Sequence, residues 1–402
     1  MSSASFLTRV VIKNYKSIAT CGVDLRPITF LVGPNGAGKS NFLDAIRFVA
    51  DGLRTSLDHA LRERGGVVEV RRRSVGHPTH FGVRLEFVLP DETAGSYAFR
   101  IGAKSNGAWE VQNEECVLRP PEALAPVASF TVASGEVSSS VPGPAAAADR
   151  LYLVSASGLK EFRPAYDALS QMGFYNLSPD RMKDLQPPDA GELLARDGRN
   201  IASVLDGIAR NKPDTKAKIE EYLSKIVPGL NGVDSVAVGP RETLQFRQET
   251  AGAESPWRFF AANMSDGTLR ALGVLVSLFQ SGHAPLVGLE EPEAGLHPAA
   301  LGVLLDAVFE ASATRQVLIT SHSAEFLDCP RLDAESILAV LAETGSTYAG
   351  PLDTIGREVL HRRLHTAGEL LRIDQLRPDH GKEPETSTAQ LNLLTEGGAE
   401  TG

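Results

Sequence analysis

Gly33-Pro34-Asn35-Gly36-Ala37-Gly38-Lys39-Ser40 decides how this chain folds. The stretch fits the pattern G-x-x-x-x-G-K-[ST], and its surroundings are those the pattern needs. Before it, Ile28-Thr29-Phe30-Leu31-Val32 reads as a buried strand; after it, Phe42, Leu43, Ile46, Val49 and Ala50 recur at helical spacing. The glycines therefore lie at a strand-to-helix turn, where backbone N–H groups can close around phosphates. Lys39 supplies a point charge to the β- and γ-phosphates, Ser40 can reach Mg²⁺, and the helix N-terminus favours an anion. The candidate contacts of a nucleoside triphosphate are Gly33, Pro34, Asn35, Gly36, Ala37, Gly38, Lys39, Ser40 and Asn41.

Working outward, Leu7 to Lys13 alternates as a strand, and Asn14-Tyr15-Lys16-Ser17 turns. From about 66 to 155 the chain becomes strand-rich, with runs Phe81 to Leu89, Tyr97 to Ile101, Trp109 to Leu118, Ala128 to Val132 and Arg150 to Val154, which predict an antiparallel β lobe. Inside that lobe, Ala133 to Asp149 is rich in Ser, Gly, Pro and Ala and predicts a flexible loop. Residues 159 to 230 are helical: Ile201, Val204, Leu205 and Ile208 share one face, Ile219, Tyr222, Leu223 and Ile226 another, and Pro228-Gly229 ends the run. Strands return at Val233 to Val238 and Thr243 to Arg247. A helix led by Met264-Ser265-Asp266-Gly267, a strand Pro285 to Leu289, a helix Pro298 to Ala311 and a strand Gln316 to Thr320 follow. This alternation is what a largely parallel α/β sheet requires. Four segments result: an N-terminal lobe over 1–158, a helical insertion over 159–232, a C-terminal lobe over 233–376, and a disordered tail over 377–402.

Leu286-Val287-Gly288-Leu289-Glu290-Glu291 is an apolar strand ending in two carboxylates, the hard oxygen donors Mg²⁺ prefers. Glu290 is assigned to the metal and Glu291 to polarising the water that attacks a γ-phosphate. Val317-Leu318-Ile319-Thr320-Ser321-His322-Ser323 is a second apolar strand, with His322 just past its end, where open α/β sheets gather ligand-contacting residues. His322 should face the γ-phosphate. Ser265 or Asp266 caps a helix, and a helix N-terminus carrying a hydroxyl is a second anion site. His297, before Pro298, suits a structural role in the turn as well as it suits contact with a partner subunit.

Taken in order, Gly33 to Ser40, Met264 to Arg270, Leu289-Glu290-Glu291-Pro292-Glu293-Ala294-Gly295-Leu296-His297-Pro298 and Thr320-Ser321-His322-Ser323 resemble the RecF/SMC/OLD-like group of ABC-type ATPases. Ile12-Lys13-Asn14-Tyr15-Lys16-Ser17 resembles that group's opening strand and turn. Asp197-Gly198-Arg199-Asn200-Ile201-Ala202-Ser203-Val204-Leu205 resembles a stretch of its stand-alone bacterial members. The resemblance implies a P-loop ATPase head with ATP and Mg²⁺ as cofactors. It also implies that Ser265 and Gly267 act in trans on ATP held by a second molecule, in an ATP-dependent homodimer released by hydrolysis. Three departures from the wider ABC pattern stand out: Asp266 where a second glycine is usual, Glu290 in place of aspartate, and His297-Pro298 in the following loop. They look like the OLD-like subgroup and speak against carrying over a transporter's mechanism; the missing glutamine-rich signature and the Glu291-Pro292-Glu293 element argue against a transporter subunit. The task implied is work on DNA, or on a DNA-processing partner in repair or genome maintenance; the alternative is a sensor subunit restraining a separate nuclease or effector in an anti-phage or toxin-type system.

The 402 residues are 42% hydrophobic and 22% charged, enough for a globular protein with two or three lobes. Cys21, Cys116 and Cys329 are far apart and form no C-x-x-C pair, so neither a disulfide framework nor a zinc site is expected, and a reducing cytoplasm is. The start lacks a secretory pattern, and the apolar run Ala271 to Phe279 is too short to span a bilayer, so no membrane contact is expected. Between Ser40 and Met264 there are no sustained heptads, which excludes long coiled-coil arms, and any nuclease is expected to be a separate protein. The formal net charge of −10 requires DNA binding to come from a local patch. Arg62, Arg64, Arg71, Arg72 and Arg73 are the one basic cluster, but with no aromatics beside them a solvated loop is the better reading.

Overall fold

The computed structural model describes residues 6–74, 78–104, 107–121, 128–249, 255–280, 282 and 284–379. The predicted disordered tail lies outside them from residue 380 onward. The chain divides into two compact units, the first built from the described residues of Met1–Met172, Asp333–Leu364 and Asp374–Gly402, the second from Gly173–Leu332 and His365–Ile373.

The first unit opens with strands β1 (Leu7–Tyr15), β2 (Ile18–Asp24) and β3 (Ile28–Val32), then helices α1 (Lys39–Arg54), α2 (Leu57–Arg62) and α3 (Val67–Val70). The antiparallel lobe follows as β4 (His80–Val88), β5 (Ala94–Ala103), β6 (Trp109–Arg119), β7 (Ala128–Ala133) and β8 (Glu136–Ser139), closed by α4 (Tyr152–Ala156) and α5 (Arg163–Ser170). In the second unit come β9 (Gly173–Tyr175), α6 (Pro179–Lys183), α7 (Ile201–Asn211), α8 (Pro213–Ile226), β10 (Leu230–Val238), β11 (Arg241–Gln248) and β12 (Trp257–Phe260). It continues with α9 (Asp266–Phe279), β13 (Leu286–Glu290), α10 (Pro298–Ala311), β14 (Gln316–Ser321) and α11 (Ala324–Leu327). The chain then returns to the first unit for β15 (Ile337–Glu343), β16 (Ser346–Pro351) and α12 (Thr354–His361), and α13 (Ala367–Arg372) belongs to the second.

Strands of the first unit run in the order β8-β7-β6-β5-β4-β1-β2-β16-β15-β3. Pairing is antiparallel from β8 to β2, while β15 is parallel to β3 and β16 to β2. In the second unit β13 lies between β14 and β9, parallel to both, and β10-β11-β12 form a separate antiparallel sheet. The fold is thus α/β with an antiparallel lobe, and its parallel strands are the ones that carry the predicted motifs.

The core of the first unit is aromatic. Phe48 of α1 meets Tyr15, Phe81 and Phe99 with ring centroids 6.2, 5.4 and 6.0 Å apart, all four rings being fully buried. One turn earlier on the same face of the helix, Asp44 accepts hydrogen bonds from the Tyr15 hydroxyl at 2.8 Å and Lys16 Nζ at 2.6 Å, which fastens the Asn14-Tyr15-Lys16-Ser17 turn to α1. Burial alone would raise the Asp44 carboxyl, but Arg64, Arg47 and Lys16 together hold it well below the usual carboxylate range.

That network also corrects the reading of the arginine cluster as a solvated loop. Arg64 has only 2% of its side chain exposed and pairs with Asp44 and Asp51, each at 2.9 Å. Arg71 donates to the Pro78 carbonyl, and Arg72 to the Ser17 carbonyl and Ser346 hydroxyl. Arg62 and Arg73 are exposed, each in an i,i+4 pair, with Asp58 and Glu69. The run is internal structure plus two surface pairs, and no concerted phosphate-binding patch forms.

Two further readings change. The Ala133–Asp149 segment contains β8, paired with β7 through Ala133↔Glu136. Arg150 to Val154, with strand-like composition, enters helix α4 because the carboxylate of Glu114 on β6 captures the N–H groups of Tyr152 and Leu153, at 2.5 and 2.8 Å. Glu114 is fully buried and also accepts from the Tyr97 hydroxyl at 2.9 Å. Burial pushes its carboxyl up to about 7, against the three hydrogen bonds, which favour the carboxylate. In the unfolded chain the group ionises near ~4.3. The folded state therefore holds the extra proton between those values, so the stability Glu114 contributes is full at the acid end and is lost as pH rises through about 7. Glu114→Gln cannot titrate and offers the three donors a single oxygen. It should destabilise the protein by about 1–3 kcal/mol near the acid end, and the deficit should narrow toward pH ~8. Urea melts of both proteins across that range check this; a deficit independent of pH would refute it.

Candidate functional site

In the first unit the buried strand β3 runs directly into the Gly33–Ser40 turn and α1. The turn is glycine-rich for reasons visible in its neighbours. A Cβ on Gly33 would come within 1.9 Å of the Val340 carbonyl of β15. One on Gly38, whose φ is +102°, would come within 2.1 Å of the Thr347 hydroxyl of β16. Thr347 also ties the turn down: its Oγ1 donates to the Ala37 carbonyl at 2.9 Å and shares a 2.7 Å hydrogen bond with Ser17 Oγ. Ser17 Oγ in turn accepts from Asn41 Nδ2 at 2.7 Å. Asn41, predicted as a nucleotide contact, therefore commits its side-chain amide to holding the turn.

Lys39 is buried, and its Nζ donates to the carbonyls of Gly33 at 2.7 Å and Pro34 at 3.0 Å, so the ammonium lies across the inside of the turn. No side chain caps the N-terminus of α1, whose first N–H groups are the orphan donors that receive anions. Pro34, Asn35, Gly36 and Ser40 are exposed at its mouth, while Ala37 is buried beneath.

In the second unit Glu290 ends β13 opposite Thr320 of β14. Glu291 follows with φ at +45°, a left-handed conformation that costs a non-glycine residue about 1 kcal/mol or more. Its N–H donates to the Thr320 carbonyl at 3.0 Å, which holds the turn. The result is that the two adjacent carboxylates serve different partners. Glu291 Oε1 lies 3.1 Å from His322 Nδ1, both side chains being about two-fifths exposed. Glu290 Oε1 accepts from Arg196 Nη2 at 2.7 Å, and its Oε2 accepts from Asn176 Nδ2 at 3.3 Å. Behind them Glu293 is buried, and its Oε1 accepts from the Ser321 hydroxyl at 2.5 Å. Burial raises the Glu293 carboxyl, against that hydrogen bond.

Ser265 is the exposed N-cap of α9, with its Oγ accepting from the Thr268 N–H at 3.2 Å. Asp266 accepts from Lys183 Nζ at 2.5 Å. Gly267 has no room for a side chain, since a Cβ there would come within 2.5 Å of the Gly295 carbonyl. His297 takes the structural role: its Nδ1 accepts from the Ala299 N–H at 3.2 Å and caps α10. Thus Glu291 and His322 are brought together, Glu290 is paired with Arg196 and Asn176, and Ser265 and Gly267 form the head of α9. Sequence reasoning missed Arg196, Asn176, Glu293 and Thr347, although Arg196 directly precedes the Asp197–Leu205 resemblance.

The donor chemistry fits a Mg²⁺–nucleotide. Ser40 in the first unit and Glu290 in the second are each a hard oxygen donor of the kind Mg²⁺ prefers, and among the described residues no group of three or more His, Cys, Asp or Glu side chains is placed to cage a metal. Among the described residues no helix is long and apolar enough to cross a membrane.

Comparison with known proteins agrees with this architecture. Residues 28–328 match the AAA_21 family model, described as "AAA domain, putative AbiEii toxin, Type IV TA system". The DNA replication and repair protein RecF of Aliivibrio fischeri (strain MJ11) is 40% identical over 47 residues, which is 11% of this chain and 13% of that protein. The match therefore spans a small part of RecF's length. Among solved structures, the Smc head bound to the C-winged helix domain of ScpA superposes with a TM-score of 0.55 at 14% identity, covering 88% of this chain and 99% of that one. The Smc head domain with an extended coiled coil, bound to the C-terminal domain of ScpA and derived from Pyrococcus furiosus, gives 0.56 at 13% identity over 89% and 99%. At these identities the likeness is one of fold.

Proposed function

We propose that this chain, which belongs to the AAA_21 family and is an ABC-type ATPase of the RecF/SMC family, hydrolyses ATP as a dimerisation switch. The observation that carries the reading is the Glu291–His322 pair, held at 3.1 Å just beyond the ends of two adjacent parallel strands by a left-handed backbone at Glu291. A carboxylate so placed can take a proton from water as the water oxygen bonds to the γ-phosphorus and the bond to the β–γ bridging oxygen breaks. His322 orients that carboxylate and is the second residue we assign to the γ-phosphate. In the first unit Lys39 and the N–H groups of the Gly33–Ser40 turn would hold the triphosphate and Ser40 would offer Mg²⁺ an oxygen; in the second unit Glu290 is the carboxylate we assign to the metal. When bound, Mg²⁺ would supply neutralisation of phosphate charge.

Ser265 supports the dimer: it is exposed at the head of α9, where its hydroxyl and the helix N-terminus could present donors to an anion supplied by another molecule. Ser265→Arg should abolish ATP-dependent dimerisation and leave one-head ATP binding within about twofold, because the substitution blocks a surface and not the site around Lys39. Light scattering with and without ATP, beside titration of a fluorescent ATP analogue, measures both. Loss of ATP binding in the variant would remove the in-trans role of Ser265 and Gly267.

For the task of the switch we favour work on DNA or on a DNA-processing partner, supported by the local likeness to RecF and the head-like fold. The family description, which names a toxin–antitoxin system, supports the second reading, a sensor that restrains a separate effector.

A further inference from the structure

We propose that Arg196 is a displaceable counter-charge, occupying Glu290 until a divalent cation arrives with nucleotide. The inference rests on reading Glu290 as the metal carboxylate. Both oxygens of that carboxylate are engaged from within the same unit, by Arg196 at 2.7 Å and Asn176 at 3.3 Å. The Glu290 side chain is 15% exposed, the Arg196 side chain 45%. A carboxylate has only acceptors to offer. A cation that bonds Oε1 directly sets a second positive charge beside the guanidinium, and that repulsion favours its departure.

The segment around Arg196 is built to present the side chain without immobilising it. Its backbone is fastened next to β9: the Asn176 N–H donates to the Arg196 carbonyl at 2.9 Å, and the Ser178 N–H to the Asp197 carbonyl at 3.1 Å. Asn200 locks the turn from the other side, its Oδ1 accepting from the Ala195 N–H at 2.7 Å and its Nδ2 donating to the Leu193 carbonyl at 3.0 Å and Asp189 at 2.8 Å. Beyond this fixed backbone, the half-exposed guanidinium can swing into solvent and rehydrate at small cost. The Asp197-Gly198-Arg199-Asn200 stretch thereby acquires a purpose: it aims Arg196 at the end of β13.

Competition makes a prediction opposite to that of a fixed support. With the full chain, the Mg²⁺ concentration giving half-maximal binding of a fluorescent ATP analogue, and Mn²⁺ uptake followed by electron paramagnetic resonance in the presence of ATP, are the readouts. R196Q should lower the half-saturating concentration roughly two- to fivefold, the scale of a partly exposed ion pair. R196K, a point charge without the fork, should fall between R196Q and the wild type. An unchanged or raised requirement in R196Q, with a wild-type melting temperature, would make Arg196 a fixed support and overturn the proposal; if R196Q does not fold, R196K decides on the same criterion. E290Q should raise the cation requirement. If it leaves the requirement at the wild-type value, Glu290 is not the metal carboxylate, and the inference falls together with that reading.

Discussion

Lys39→Ala should weaken ATP binding by roughly a hundred- to ten-thousand-fold and abolish turnover. Each charge-assisted hydrogen bond is worth about 1.5–3 kcal/mol, and Lys39 is positioned to make such bonds to two phosphates at once. Its present partners, the Gly33 and Pro34 carbonyls at 2.7 and 3.0 Å, lie on the turn itself. The ammonium therefore needs only a local move to exchange them for phosphate oxygens. Lys39 is the one cationic residue between Gly33 and Asn41, so no neighbour in the turn can replace its charge. Lys39→Met keeps the buried stem, and separates loss of charge from loss of packing. Titration of a fluorescent ATP analogue into both variants, with melting temperatures as the control for folding, measures the effect. Hydrolysis at the wild-type rate in Lys39→Ala would remove the turn from the ATPase site.

The same residues explain what can be read from sequence and what cannot. The turn is legible because its strand, glycines and helix are contiguous, and because each periodicity is local. The hairpin of β15 and β16 that shapes it is not. Thr347 reaches the Ala37 carbonyl across 310 positions, and nothing in Ser346-Thr347-Tyr348 announces that contact. Arg64 reads as surface basicity until Asp44 and Asp51 are seen to surround it, since partners on another element leave no trace in a charge run. At Leu151-Tyr152-Leu153-Val154 composition favours a strand, but a carboxylate brought from β6 caps the backbone into a helix. The order of the Glu290, Glu291 and His322 motifs is visible in the chain. Their division of labour depends on a left-handed φ at one residue, which only coordinates reveal.

That division sets the second large effect, which is expected for Glu291→Gln. The amide keeps the shape of the side chain and the left-handed backbone, and it keeps an oxygen for His322, but it has no basic oxygen for a water proton. Removing a general base should slow hydrolysis about a hundred- to ten-thousand-fold while leaving ATP binding close to the wild-type value, because no phosphate contact is lost. If ATP closes two chains together and hydrolysis parts them, the population must then shift from monomer to an ATP-bound dimer. Light scattering and phosphate release, measured on one preparation, test both halves of the statement. A monomeric, fully active Glu291→Gln protein would count decisively against the switch. The trapped dimer is also the form whose partner surface persists. Offered DNA duplexes and cell protein together with ATP, it should retain DNA if the first reading of its task holds, and a discrete effector if the second does. Glu290→Gln makes the contrast sharp: it alters the carboxylate held by Arg196 and Asn176 and leaves the Glu291–His322 pair in place. It should therefore change the cation requirement first and the hydrolytic step only through it, so two neighbouring substitutions of the same kind should fail at different stages of one cycle.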